Sequence, residues 1–226
     1  MSSEERPIAI MGGDVMRPNG LARRAGVVTR GGRVAAILAP DEAPPPGADI
    51  IDAEGRTVLP GFIDIHCHGG GGASFDSASP EEIDTILATH AREGTTAMVA
   101  ALPALPPDQR HAALRTLREY MRRQAAGPEL LGAYMEGPYF SAAERGAQPE
   151  GLIGPPTPDD YRPTLEQFGD IIKVWSLAPE LPGAMEFIRE LTARGIVPAL
   201  GHSNAGHEDV LAAIDAGAKL VTHVYC

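Results

Sequence analysis

The sequence predicts an α/β fold, a parallel sheet flanked by helices, and three observations carry that expectation. From residue 58 onward, apolar β-prone runs alternate with amphipathic helical segments. The helical segments carry recognisable start and stop signals. Histidines and one glutamate fall at the ends of the β-prone runs, where the active sites of parallel β/α barrels are built. On pattern alone, an open doubly wound sheet and a (β/α)8 barrel both fit.

Residues 1–57 read as a separate small β domain. Ile8-Ala9-Ile10 is a short strand, and Gly26–Thr29 and Arg33–Leu38 flank Gly31-Gly32, a hairpin signal. Ala43–Gly47 is a loop, and Asp49–Asp52 is a strand leading to a turn at Glu54-Gly55. These strands are too few to stand alone.

In residues 58–226 the strand candidates are 61–66, 95–101, 130–135, 170–177, 197–201 and 219–223. The first helix opens on Ser79-Pro80-Glu81-Glu82, an N-cap, a proline at the first helical position and a capping-box glutamate. Its buried stripe is Ile83, Ile86, Leu87 and His90, and Gly94 ends it. Three further helices follow. One lies near 107–123 with Leu114, Leu117 and Met121 on one face; one near 182–194 presents Met185, Ile188 and Leu191; the last, near 207–216, presents Val210, Leu211 and Ile214. Six strands with their helices fall short of the eight units of a closed barrel.

Composition narrows the partners. The chain has 226 residues and a formal net charge of −11, without a dense Lys/Arg stripe, so nucleic acid is not an expected partner. No apolar run reaches membrane-span length, and the N-terminus lacks the apolar core of a signal peptide. Two cysteines, Cys67 and Cys226, do not make a disulfide framework. A cytoplasmic protein is expected.

His66-Cys67-His68 is the most informative stretch. Residues i and i+2 of a strand face the same side, so both imidazoles can share one metal ion while Cys67 points away as a packed thiol. Glu136 ends the 130–135 run, His202 follows 197–201, and His223 ends the last run. Each alone has an ordinary structural reading; together they form five N/O ligands from four strand ends, suited to Zn²⁺ or a similar divalent ion. His90, His111 and His207 read as helix residues.

The stretch Asp52–His68 resembles the entry signature of the amidohydrolase superfamily. Pro60–Gly72, Glu93–Thr96, Met135–Phe140, Arg145–Gln148, Leu177–Glu180, Leu200–Ala205 and Thr222-His223 are, more narrowly, similar to the N-acetylglucosamine-6-phosphate deacetylase family. The resemblance implies a metal-loaded (β/α)8 barrel, about six of whose eight units are present, and a partial N-terminal β-sandwich. It implies removal of the acetyl group from N-acetylglucosamine 6-phosphate, a phosphorylated amino sugar, to give glucosamine 6-phosphate and acetate. Glu136, His202 and His223 match the family's main metal site, and His66 and His68 match a second, so two ions are expected with Glu136 between them. Ala147 and Gln148 match substrate-binding positions, although the family often has histidine where Gln148 stands. A homodimer is implied for the full-length protein. The family's general-base aspartate corresponds to a position beyond Cys226, so a chain truncated there is expected to turn over little by itself. Two rivals remain: another amidohydrolase (a dihydroorotase, a deaminase or a D-amino-acid deacylase), some of which use a carboxylated lysine, which makes Lys173 worth locating; and an inactive metal-binding fragment.

Overall fold

A computed structural model describes residues 6–124 and 126–224. The chain divides into two compact units, Met1–Gly61 and Phe62–Cys226.

The first unit is one five-stranded sheet of β1 (Ile8–Arg17), β2 (Gly20–Arg30), β3 (Arg33–Leu38), β4 (Asp49–Asp52) and β5 (Thr57–Val58). Its order is β3-β2-β1-β4, with β5 also on β1. The strand expected at 8–10 runs on to Arg17. Register shifts between Ile10 and Gly13 and between Gly13 and Val15 bend it, and the alternation is lost there. The bend lets β1 hold β4 against Ile8–Met11 and β5 against Asp14-Val15. The Gly31-Gly32 hairpin forms as expected between β2 and β3.

The second unit holds a six-stranded, wholly parallel, curled sheet of β6 (Phe62–Cys67), β9 (Thr95–Leu102), β10 (Glu129–Glu136), β11 (Ile172–Leu177), β12 (Val197–Leu200) and β13 (Leu220–Val221), hydrogen-bonded in that order. The short pair β7 (Gly69-Gly70) and β8 (Ala73-Ser74) forms a separate hairpin after β6. The helices are α1 (Pro80–Arg92), α2 (Pro107–Arg123), α3 (Pro158–Phe168), α4 (Ala184–Ala193) and α5 (His207–Ala216). Successive residues of a strand face opposite ways, which divides the core in two. Met98, Ala100 and Leu102 of β9 pack outward with Ile83, Ile86, Leu114, Phe187 and Leu191 of the helices. Val99 and Ala101 pack inward with Tyr134, Val174 and Ala199. A fully buried side chain such as Phe187 contributes about 1.5–3 kcal/mol.

Most helix expectations hold, with three corrections. The capping box of α1 is half formed. Ser79 Oγ accepts from the Glu82 N–H at 3.3 Å, but the Glu82 carboxylate accepts from Ser74 N–H at 2.9 Å instead of closing back on Ser79. The α3 helix was not foreseen. The stripe expected on α5 holds only in part: Val210 packs against the core with buried Ala213 and Ala216, while Leu211 and Ile214 are exposed. The small alanine face lets α5 lie close to α4, and no described residue covers the larger apolar face. Both edge strands of the sheet also carry exposed apolar side chains, Ile63 and Ile65 on β6 and Val221 on β13.

Candidate metal centre

Five predicted residues converge at the carboxyl ends of the parallel strands. Glu136, the last residue of β10, is 3% exposed, and both of its oxygens are engaged. Its Oε1 lies 3.2 Å from His66 Nε2, 3.3 Å from His202 Nε2 and 2.9 Å from His223 Nε2. Its Oε2 lies 2.9 Å from His68 Nε2. His66 and His68 stand two residues apart at the end of β6, with their Nε2 atoms 3.3 Å apart. The same-face expectation for this pair therefore holds.

Local sequence positions each group. Gly137 follows Glu136 at φ +92°, and a Cβ there would come within 2.7 Å of Phe140, so the chain turns away from the carboxylate only with glycine. Trp175 Nε1 donates to the Gly137 carbonyl at 2.9 Å and fixes that turn. Tyr134 lies along the His66 ring, with centroids 4.3 Å apart, and its hydroxyl hydrogen-bonds to Thr222, next to His223. Phe140 lies against His202 at 4.3 Å. His202 and His223 both take left-handed backbone, at φ +53° and +57°.

The charge pattern points to a cation. Burial works against the Glu136 charge, yet contacts with His202, His66, His68 and His223 hold its carboxyl far below the usual carboxylate range. The same carboxylate raises His68 and His202 above the ordinary imidazole value. His202 Nδ1 lies 3.1 Å from the Glu144 carbonyl, which only accepts, so this nitrogen carries the ring hydrogen. In the neutral ring Nε2 is then a bare lone pair facing a carboxylate oxygen. Two acceptors so placed require a cation between them or a second proton on the ring. His66, His68 and Glu136 form one group of donor atoms lying within 4.8 Å of one another, and Glu136, His202 and His223 form another. Nitrogen and carboxylate donors at this spacing fit divalent ions, with the Nδ1–carbonyl bond of His202 as the usual outer support of a ligand histidine.

Gln148 is 5% exposed and spans the site: Nε2 donates to Glu136 Oε2 at 2.8 Å, and Oε1 accepts from Ala104 N–H at 2.8 Å. Ala147 beside it is exposed. Sequence reading gave Gln148 no link to Glu136; the two are twelve residues apart and no periodicity joins them. A cavity of about 400 Å³ opens on His66, His68, Tyr134 and His223, and a larger one of about 670 Å³ lies against His202, Gly146, Ser203 and His223.

The other histidines lie outside the Glu136 cluster, although His90, with Cys67 and Asp64, forms a third group of donor atoms within 4.8 Å of one another. His90 Nε2 and the Cys67 thiol both reach the Gly69 carbonyl, at 3.0 and 3.2 Å, tying the glycine run to α1, and burial pushes the thiol's pKa up. His111 pairs with Thr164 at 2.9 Å. His207 begins α5. Lys173 is exposed on β11 and Lys219 is exposed before β13. Cys226 lies outside the described residues.

A curled parallel sheet with candidate metal ligands at its carboxyl ends is consistent with part of the amidohydrolase barrel fold, a class that implies a divalent metal. A family model described as "Amidohydrolase family" matches residues 49–131. More narrowly, curated proteins similar to this chain at 31–36% identity include amino-sugar phosphate deacetylases. The N-acetylglucosamine-6-phosphate deacetylase of Vibrio furnissii is 36% identical over 178 residues, which are 79% of this chain and 45% of the relative. The N-acetylgalactosamine-6-phosphate deacetylase of Escherichia coli O157:H7 is 32% identical over 176 residues, 78% of this chain and 47% of the relative. Among solved structures, a mutant N-acetyl-D-glucosamine-6-phosphate deacetylase from Mycobacterium smegmatis in complex with N-acetyl-D-glucosamine-6-phosphate matches with a TM-score of 0.87 and 32% identity, over 97% of this chain and 56% of that one. The chain spans about half the length of the curated relatives it matches.

Proposed function

We propose that this chain carries the metal-binding part of an N-acetylglucosamine-6-phosphate deacetylase, which hydrolyses the N-acetyl group to give glucosamine 6-phosphate and acetate. The observation that carries this reading is the convergence of His66, His68, His202 and His223 on the two oxygens of buried Glu136. Glu136, His202 and His223 hold one divalent ion in this reading, and His66 and His68 a second, with Glu136 between the two. Zn²⁺ suits these donors. When bound, such an ion acidifies water and polarises the amide carbonyl.

The chain's own residues then have defined tasks. Glu136 keeps its charge despite burial and balances the cations. His202 keeps its ring hydrogen on Nδ1, toward Glu144, leaving Nε2 for the ion. A primary amide has two N–H groups, and Gln148 uses one on Glu136; the second is free for the carbonyl oxygen as the amide becomes tetrahedral. Exposed Ala147 borders the substrate beside it. Hydrolysis forms the C–O bond, breaks the C–N bond and delivers a proton to the leaving amine. By the resemblance, that proton moves through an aspartate that follows the stretch matched here. A cytoplasmic homodimer is part of the same reading.

The lysine-bridged amidohydrolase alternative finds no support, since both lysines stand exposed. The similarity to an N-acetylgalactosamine-6-phosphate deacetylase makes the epimeric sugar the substrate to compare. Acetate release from the two sugar phosphates should be measured with the natural full polypeptide, loaded with Zn²⁺, beside dihydroorotate and N-acyl-D-amino acids. Faster release from N-acetylglucosamine 6-phosphate is the expected result. A metal-loaded protein that releases acetate from neither sugar overturns the proposal.

A further inference from the structure

Glu180 lies in the loop between β11 and α4, in the stretch Leu177–Glu180 that helped mark the resemblance but has no task in the chemistry above. Its carboxylate grips the two residues after His202. Ser203 Oγ donates to Oε2 at 2.7 Å, and Asn204 N–H donates to Oε1 at 2.6 Å. Ser203 Oγ in turn accepts from Ala205 N–H at 3.0 Å. Glu180 is half-buried and makes no ion pair among the described residues, so these donors are what hold the charge in place.

The grip matters because of where it acts. His202 sits at φ +53°, a conformation L-residues other than glycine seldom adopt unless the surroundings enforce it. On its own side, Ser141 N–H donates to the His202 carbonyl at 2.9 Å, and Nδ1 reaches the Glu144 carbonyl at 3.1 Å. On the following side the restraint comes from Glu180. Ala178 N–H donates to the Tyr139 carbonyl at 2.8 Å, which fastens the loop carrying Glu180 to the turn after Glu136.

We propose that Glu180 is a positioning residue for the metal centre: by fixing Ser203 and Asn204 it holds the left-handed turn that aims His202 Nε2 at Glu136. This rests on the metal-binding reading above. Outer supports of metal ligands typically change affinity about 10–100-fold when removed.

The test measures metal affinity in the purified protein by chelator competition with Zn²⁺, together with the visible spectrum of the Co²⁺-loaded form. Glu180→Ala should weaken the tighter-held ion by about tenfold or more and alter the Co²⁺ bands. Glu180→Gln, which keeps one acceptor, should restore part of the loss. Ser203→Ala removes the Oγ bonds to Glu180 and Ala205 but keeps the Asn204 N–H bond to Glu180, should fold whatever becomes of Glu180→Ala, and should give a smaller loss of the same kind. Unchanged affinity and spectrum in Ser203→Ala and in the Glu180 variants that fold would overturn the inference while leaving the metal centre standing. A wild-type protein that binds neither ion would overturn both.

Discussion

At Glu136 a single oxygen, Oε1, faces three imidazole nitrogens, while Oε2 faces a fourth and the Gln148 amide. Glu136 can bridge two ions only if it keeps this orientation, and Gln148 holds it from behind with its own oxygen fixed on Ala104 N–H. Gln148→Ala should therefore weaken metal binding about 10–100-fold with little change in the stability of the metal-free protein, as read by isothermal titration and thermal melting of the apo form. Gln148→Glu should be more damaging, because it sets a second buried carboxylate against the first. The legibility of these residues followed the reach of local rules. His66 and His68 are two apart on a strand, so their shared direction could be read directly. Glu136, His202 and His223 could be read as candidate ligands only in company, because a single polar residue at a strand end has an ordinary reading. Gln148 and Glu180 act through contacts to backbone or carboxylate far along the chain, and no pattern in the sequence marks such contacts.

Among the elements, α3 is the instructive omission. Tyr161, Thr164, Leu165 and Phe168 are its buried residues, spaced 3, 4 and 7 apart as a helix requires, and Pro158 stands at its first position. Pro163 within it and the prolines before it obscure that spacing, since proline removes a backbone donor. Tertiary packing outweighs that loss. Asp160, in its first turn, accepts from Arg110 Nη2 at 2.9 Å and from the Tyr139 hydroxyl, tying α3 to α2 and to the turn after Glu136. Burial opposes the Asp160 charge, but Arg110 and Tyr139 hold its carboxyl below the usual range. A carboxyl lowered in the folded state stabilises above its unfolded pKa and loses that contribution as pH falls through the folded value. Asp160→Asn should flatten the acid limb of a melting-temperature profile taken between pH 7 and about pH 3. At pH 7 it should lower stability by about 1–2 kcal/mol, because Arg110, 2% exposed, loses its counter-charge while partly exposed Asp160 is screened by solvent. Denaturant titration at the two pH limits checks both.

For the whole molecule, the alternation of strands and helices gave the parallel sheet, in which strands consecutive along the barrel segment lie side by side. Pattern alone did not choose between an open sheet and a barrel; the curl of the sheet and the match to solved deacetylases did. In the two-ion reading the ligands come from segments as far apart as His66 and His223, so the two ions, joined through Glu136, would tie together the two edge strands of the sheet, β6 and β13. A ligand present at 1,000 times its Kd adds about 4 kcal/mol to stability. For a chain of this size, zinc should raise the melting temperature by roughly 10 °C and a chelator should reverse it. Calorimetry with and without metal tests this, and an unchanged melting temperature would argue against a shared centre.

The left-handed backbone at His202 has a practical corollary. Glycine is the residue most at ease there, so His202→Gly should leave the polypeptide unstrained and remove only the ring. The result is a niche shaped like the missing heterocycle, lined by Phe140 and the Glu144 carbonyl. Free imidazole supplied in the buffer should dock in it and restore zinc uptake in a dose-dependent way. Bulkier N-alkylated imidazoles, which cannot donate to Glu144 while binding the ion, should fail.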